Sequence, residues 1–141
     1  MEDAEVALVL IGSTAGTAKA CVDNLRDQGI KAGLIKVRVF RPFPMEEIAR
    51  ALSHVKAVAV MDKCEGNSAS GGPLFAEVRS ACYDLETRPH MINVVYGLAG
   101  RDCAPEDVER VYRHLLNIVQ TGVVGSRYLH MGQRSNQEEV L

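Results

Sequence analysis

Three groups of residues in this sequence carry side chains or turns suited to binding charge. Gly12-Ser13-Thr14-Ala15-Gly16-Thr17 is a glycine-rich turn bearing hydroxyls. A phosphate cradle would need the G-x-G-x-x-G spacing or a Walker lysine, and Lys19 falls in neither. The turn reads instead as a strand-to-helix junction with Ser13 or Thr14 as N-cap, where a helix N-terminus leaves room for an anion. Arg41 lies inside Phe40-Arg41-Pro42-Phe43-Pro44. Two prolines restrict that backbone, and a rigid apolar segment carrying an arginine and Phe43 suits a protein interface. Asp62, Lys63, Arg101 and Asp102 make the third group. They read either as a cluster that meets a ligand or partner domain, or as internal ion pairs fixing two loops.

Nucleophilic and metal chemistry find little support. Cys21, Cys64, Cys82 and Cys103 are dispersed and never form a C-x-x-C pair. They read as reduced thiols, because structural zinc and iron–sulfur sites bring closely spaced ligands. Cys21 and Cys82 fall on expected helix faces, Cys64 and Cys103 on loops. His54, His90, His114 and His130 lack i,i+4 spacing and a neighbouring nucleophile. No catalytic, cofactor-binding or metal-ligating residue is assigned.

The elements that must position these groups form four strand-then-helix units. Glu5 to Ile11 is a nearly continuous apolar run, as a strand covered on both faces requires. Ala18, Cys21, Val22 and Leu25 then recur at helical spacing, and Gly29 ends that helix. Ala32 to Phe40 is the second strand, followed by a short helix with Met45, Ile48, Ala49 and Leu52 inward. Lys56 to Asp62 is the third strand, and Pro73 opens a helix burying Leu74, Val78, Ala81, Cys82 and Leu85. His90 to Tyr96 is the fourth strand. Pro105-Glu106-Asp107 opens the last helix, whose apolar face is Val108, Val111, Leu115, Ile118 and Val119 before Gly122. Periodicity fades from Val123 onward, and Arg134 to Leu141 is expected to be a loose polar tail. Residues 4–122 are thus expected to form one α/β domain and 123–141 a partly flexible C-terminal extension. Four such units predict a parallel sheet with right-handed crossovers and helices on both faces. Ligands and partners should then meet the carboxyl ends of the strands.

The 141 residues suit one domain with its own core. A net charge of −2 gives no electrostatic reason to expect nucleic acid or an anionic membrane. The longest apolar run is too short to span a bilayer, and the acidic start Met1-Glu2-Asp3-Ala4-Glu5 does not resemble a secretory signal.

Four segments resemble one family when taken in order. They are Gly12 to Thr17, Leu34 to Pro44, Gly71 to Ala81, and Asn93-Val94-Val95-Tyr96-Gly97-Leu98-x-Gly100-Arg101-Asp102. Together they resemble the second domain of the α subunit of pyruvate:ferredoxin and related 2-oxoacid:ferredoxin oxidoreductases, from about residue 4 to the end of the last helix. The resemblance implies a three-layer α/β/α fold of the transketolase C-terminal-domain type, with a mainly parallel sheet of four to five strands. It implies a complex that converts a 2-oxoacid and coenzyme A to acyl-CoA, carbon dioxide and reduced ferredoxin. Thiamine diphosphate, magnesium and iron–sulfur clusters would sit in partner domains, with no cofactor in this chain, which alone would be inactive. The implied partners are the complex's other subunits or domains, with ferredoxin and coenzyme A reached through it. Neither nucleic acid nor membrane is implied, and a cytoplasmic location is expected. Ser13, Thr14, Arg41, Phe43, Asp62, Lys63, Arg101 and Asp102 would form the interface.

One departure leaves the 2-oxoacid open, with pyruvate the first expectation. The family commonly follows this aspartate with an arginine and an aromatic-containing loop. Here Lys63-Cys64-Glu65-Gly66-Asn67 has no aromatic. Outside the family, the alternative is a stand-alone binding module for a small anionic ligand.

Overall fold

The computed structural model describes residues 1–66 and 71–132. Five strands, β1 (Val6–Ile11), β2 (Ala32–Val37), β3 (Ala57–Asp62), β4 (His90–Val95) and β5 (Tyr128–His130), form one sheet in the order β2-β1-β3-β4-β5. Every neighbouring pair is parallel, with Leu8 of β1 opposite Leu34 on one side and Ala59 on the other. Helices α1 (Thr14–Asp27), α2 (Met45–Leu52), α3 (Pro73–Ala81) and α4 (Pro105–Thr121) connect the strands.

Strand periodicity divides the core into two layers. Leu8, Leu10, Ala59, Met61, Ile92 and Val94 pack against Leu25 of α1 and Val111, Leu115 and Ile118 of α4. Ala7, Val9, Val58, Val60 and Met91 pack against Ile48 and Leu52 of α2 and Leu74, Phe75 and Val78 of α3. β1 and β3 are buried almost end to end because both faces are covered. The fold is therefore the expected three-layer α/β arrangement.

Several local expectations shift. β2 stops at Val37 rather than Phe40, and Met45 of α2 is 44% exposed rather than inward. At the first helical position, Met45 sits above the edge of the layer that Ile48 and Leu52 enter. Tyr112 joins the buried face of α4, and its hydroxyl donates to the Gly33 carbonyl at 2.7 Å, sealing part of the β2 margin. Neither Ser13 nor Thr14 caps α1. Ser13 holds the N-cap position with helical backbone angles (φ −69°, ψ −30°) and no side-chain bond to the helix. A working cap needs extended geometry there. Gly29 and Gly122 do end α1 and α4, each with positive φ.

The fifth strand arises in the segment where hydrophobic periodicity is lost. Its three residues are too few to show a period, and only Leu129 is buried. Asn93 N–H donates to the Arg127 carbonyl and Met131 N–H to the Val95 carbonyl, both at 2.8 Å, fixing it beside β4. The polar tail expected at Arg134 to Leu141 lies outside the described residues. No helix among them is long and apolar enough to cross a membrane.

Candidate functional site

Strand order reverses between β1 and β3, and in open α/β sheets the crevice at that point is where the edge opens. A cleft of about 430 Å³ lies there, lined by Ile11, Gly12, Ser13, Phe40, Met61, Asp62, Lys63, Pro73, Leu74 and Tyr96. It brings together Ser13, Asp62 and Lys63 from two of the groups singled out in the sequence. Much of its lining is apolar because β1 ends in Ile11 and β3 carries Met61 just before Asp62.

The structure separates Asp62 from its exposed neighbour Lys63. Asp62 is 4% exposed and turned inward. Its Oδ1 accepts the Leu74 N–H at 2.9 Å, and its Oδ2 accepts the Phe75 N–H at 3.1 Å. Those are free donors of the first turn of α3, which begins with Pro73 and so presents no amide at its first position. Asn93, wholly buried in β4, donates through Nδ2 to Asp62 Oδ2 at 2.9 Å and to the Val60 carbonyl at 3.0 Å. Its Oδ1 accepts the Gly72 N–H at 2.8 Å. A Cβ at Gly72 would land inside the Asp62 side chain, so glycine permits this approach. Burial raises the Asp62 pKa, and the donors from Leu74, Phe75 and Asn93 offset that rise only in part.

Lys63 stays at the rim. Its ammonium stands 5.6 Å from the Tyr96 ring centroid, and among the described residues it has no carboxylate partner. Tyr96 is 1% exposed, and its hydroxyl is buried without a hydrogen-bond partner. Burial raises the pKa of that hydroxyl, and the neighbouring Thr14 side chain opposes the rise without a bond of good geometry. Thr14 itself is nearly buried, whereas Ser13 is exposed.

Arg41, Phe43, Arg101 and Asp102 are outside the lining of this cleft, and the first three have contacts of their own. Arg41 donates to Glu77 Oε1 of α3 at 2.7 Å and to the Phe40 carbonyl at 2.9 Å, with its guanidinium 4.3 Å from the Phe40 ring centroid. The Arg41–Pro42 peptide is cis. Phe43 meets Phe40 edge-on at 6.1 Å and packs against the α2–α3 layer. Arg101 donates to the Gly132 carbonyl and ties the loop after β4 to the chain beyond β5. Asp102 is exposed beside it. Asp62 is thus structural, while Ser13, Arg41, Lys63, Arg101 and Asp102 keep a solvent-facing side.

Asn93, Gly72, Tyr96 and Glu77 fall in segments that carry the family resemblance, yet sequence reasoning gave none of them a role at the site. Asn93 had a signal, since a polar residue between Ile92 and Val94 in a buried strand demands a buried partner. The Glu77 pairing and the orphaned Tyr96 hydroxyl depend on tertiary geometry and had none.

The described residues of this chain do not fit a metal ion or an iron–sulfur cluster, groups that the resemblance assigns to partner domains. No group of three or more His, Cys, Asp or Glu among the described residues is placed to hold a metal ion. Both Asp62 oxygens face N–H donors, and Cys82 and Cys103 are pushed up to about 11 by burial, which disfavours thiolate ligation.

Comparison with known proteins agrees with this architecture. Residues 4–108 match the family model of pyruvate:ferredoxin oxidoreductase core domain II. Pyruvate synthase subunit PorA of Thermotoga maritima is 42% identical over 117 residues, covering 83% of this chain and 30% of that one. Ketoisovalerate oxidoreductase subunit VorA of Pyrococcus horikoshii is 40% identical over 124 residues, covering 86% of this chain and 31% of its own. The chain thus spans less than a third of these relatives. Among solved structures, a 2-oxoglutarate:ferredoxin oxidoreductase from Magnetococcus marinus superposes with a TM-score of 0.62 at 18% identity, over 81% of this chain and 18% of that one. A split-gene transketolase gives 0.60 at 18% identity, over 80% and 38%. Those two likenesses establish the fold, the transketolase C-terminal-like arrangement expected above. With the family model covering most of its length and relatives 40% and 42% identical, the chain belongs to the pyruvate:ferredoxin oxidoreductase core domain II family.

Proposed function

We propose that this chain is an assembly domain of a thiamine-diphosphate-dependent 2-oxoacid:ferredoxin oxidoreductase, with its carboxyl edge turned toward the rest of the enzyme. The reading is carried by one combination. The family match, with relatives that are longer oxidoreductase subunits, supports a domain of such a subunit, and the polar groups best suited to chemistry, Asp62 and Asn93, are engaged in holding α3. In this reading the complex converts a 2-oxoacid and coenzyme A to acyl-CoA, carbon dioxide and reduced ferredoxin, in the cytoplasm. Pyruvate is the first substrate to test, given the Thermotoga relative's name. Thiamine diphosphate, magnesium and iron–sulfur clusters belong to the partner domains. Ser13, Thr14, Arg41, Phe43, Lys63, Arg101 and Asp102 contribute to the interface or its support, and residues 4–122 form the α/β domain to which the extension from residue 123 adds β5.

The test is a domain exchange. The matching segment of the Thermotoga maritima PorA subunit is replaced by this chain, and the complex is assayed with pyruvate, coenzyme A, thiamine diphosphate and a viologen acceptor. The exchanged complex is expected to assemble and turn over, and this chain alone to be inactive. Turnover by the isolated chain overturns the reading, as does a folded exchange subunit that fails to join its partners.

A further inference from the structure

We infer that the cleft between the ends of β1 and β3 is a docking pocket for a peptide segment that carries an apolar side chain next to a carboxylate. The inference rests on the assembly reading and specifies the chemistry of the partner at one point of the edge. The occupant is a protein segment from the part of the enzyme that this chain does not span.

Three observations set that chemistry. The cleft holds about 430 Å³, within the roughly 300–1,000 Å³ of pockets that enclose small groups, and Ile11, Phe40, Met61 and Leu74 supply an apolar lining. Ile11 is 39% exposed at the end of a strand otherwise buried, so apolar surface opens outward where the core ends. Charge then fixes the sign of the neighbour. Lys63 is the cation in the lining and has no carboxylate partner among the described residues. Asp62, the carboxylate in the lining, faces away onto the amides of Leu74 and Phe75. The first turn of α1 adds positive potential at Ser13, whose hydroxyl makes no cap bond to the helix. An apolar anchor with an adjacent carboxylate satisfies both parts, whereas a basic neighbour meets Lys63 and is disfavoured.

Blocked dipeptide amides are suitable probes, with the isotope-labelled full chain observed by amide NMR. Acetyl-Leu-Asp-amide is expected to shift Ser13, Lys63 and Leu74 at millimolar concentration. Acetyl-Leu-Asn-amide should bind up to about fivefold more weakly, the size of one exposed ion pair. Acetyl-Ala-Asp-amide should also bind more weakly, through loss of the anchor. Lys63→Glu should erase or reverse the preference for aspartate, with a dispersed amide spectrum confirming the fold. Equal binding of the aspartate and asparagine peptides, shifts confined to other regions, or no shift refutes the pocket. Acetate matching the dipeptide refutes it too, since the site would then take a simple anion. The exchanged complex separates this inference from the assembly reading. If it assembles equally well with Lys63→Glu, the pocket is wrong and assembly stands. If it never assembles with the native residue, the assembly reading itself has failed.

Discussion

Helices α3 and α1 begin on the same edge of the sheet, yet their N-termini are treated in opposite ways. α3 is held by a buried carboxylate from β3, which accepts from Leu74 and Phe75 and is locked by Asn93 from β4. α1 begins at an exposed Ser13 whose side chain makes no cap bond, above a cleft whose rim lysine has no carboxylate partner among the described residues. The first is closed and polar groups there are satisfied internally. The second is open: backbone bonds close its first turn, while the Ser13 hydroxyl and the apolar lining of the cleft stay exposed. Position along the carboxyl edge therefore does not by itself assign function. Whether a polar group is already satisfied inside the fold decides it.

Asp62→Ala should show the largest effect, because it breaks the closed side. Two helix amides and the Asn93 amide would lose a buried acceptor, a loss of about 3 kcal/mol. Urea unfolding measures it, and a change below about 1 kcal/mol would mean the network is not structural. The same group gives a pH signature. Its folded pKa lies above the unfolded value, so the folded state takes up the proton more readily. Its contribution to stability is then full below the ordinary carboxylate range and declines as pH rises through the raised value. Asp62→Asn should remove that decline.

Arg41→Ala and Arg101→Ala come next and address the open side. Each guanidinium is exposed, and the Arg41–Glu77 pair bridges surface groups, so stability should change by about 0.5 kcal/mol or less. If both arginines are central to the interface, assembly weakens by about 2 kcal/mol, read as reduced co-purification of the exchanged complex. Unchanged assembly for both variants would make them internal fasteners of the Phe40–Pro44 segment and the Gly132 turn.

This comparison also shows what was legible in the sequence. The strand-helix units, the two-layer core and the glycine stops follow from periodicity and backbone chemistry, which act locally. Asp62 and Lys63 are neighbours of opposite charge, and nothing local says that one turns inward while the other stays in water. That division is made by Gly72 and Asn93, which are remote in sequence from Asp62 and supply room and a donor. β5 was illegible for a related reason. Its three residues owe their strand geometry to pairing with β4, and the hydrophobic signal is carried by Leu129 alone.

A smaller effect of opposite sign is expected at Tyr96. Its buried hydroxyl has no hydrogen-bond partner among the described residues, so folding strips it of water without replacing the hydrogen bond. Tyr96→Phe keeps the ring beneath Lys63 and should stabilise the chain by about 1 kcal/mol. Destabilisation of that size would show that Thr14 provides a hydrogen bond in solution, and that the open side is better satisfied than its geometry indicates.

Ser13→Ala should have the smallest effect on stability, and its smallness is informative. A serine that caps a helix commonly contributes about 1 kcal/mol through its bond to a first-turn amide. Ser13 has helical backbone angles, and the amides of Ala15 and Gly16 bond back to the carbonyls of Gly12 and Ser13. The first turn is therefore closed by backbone alone, leaving its hydroxyl in solvent. Alanine also favours the helical angles already present there. Thermal unfolding should place the variant within about 0.5 kcal/mol of the parent chain. A loss near 1 kcal/mol would show that Ser13 reaches extended cap geometry in solution, making the α1 terminus as closed as that of α3. The hydroxyl would then be unavailable to a partner, and the contrast between the two helix ends would disappear.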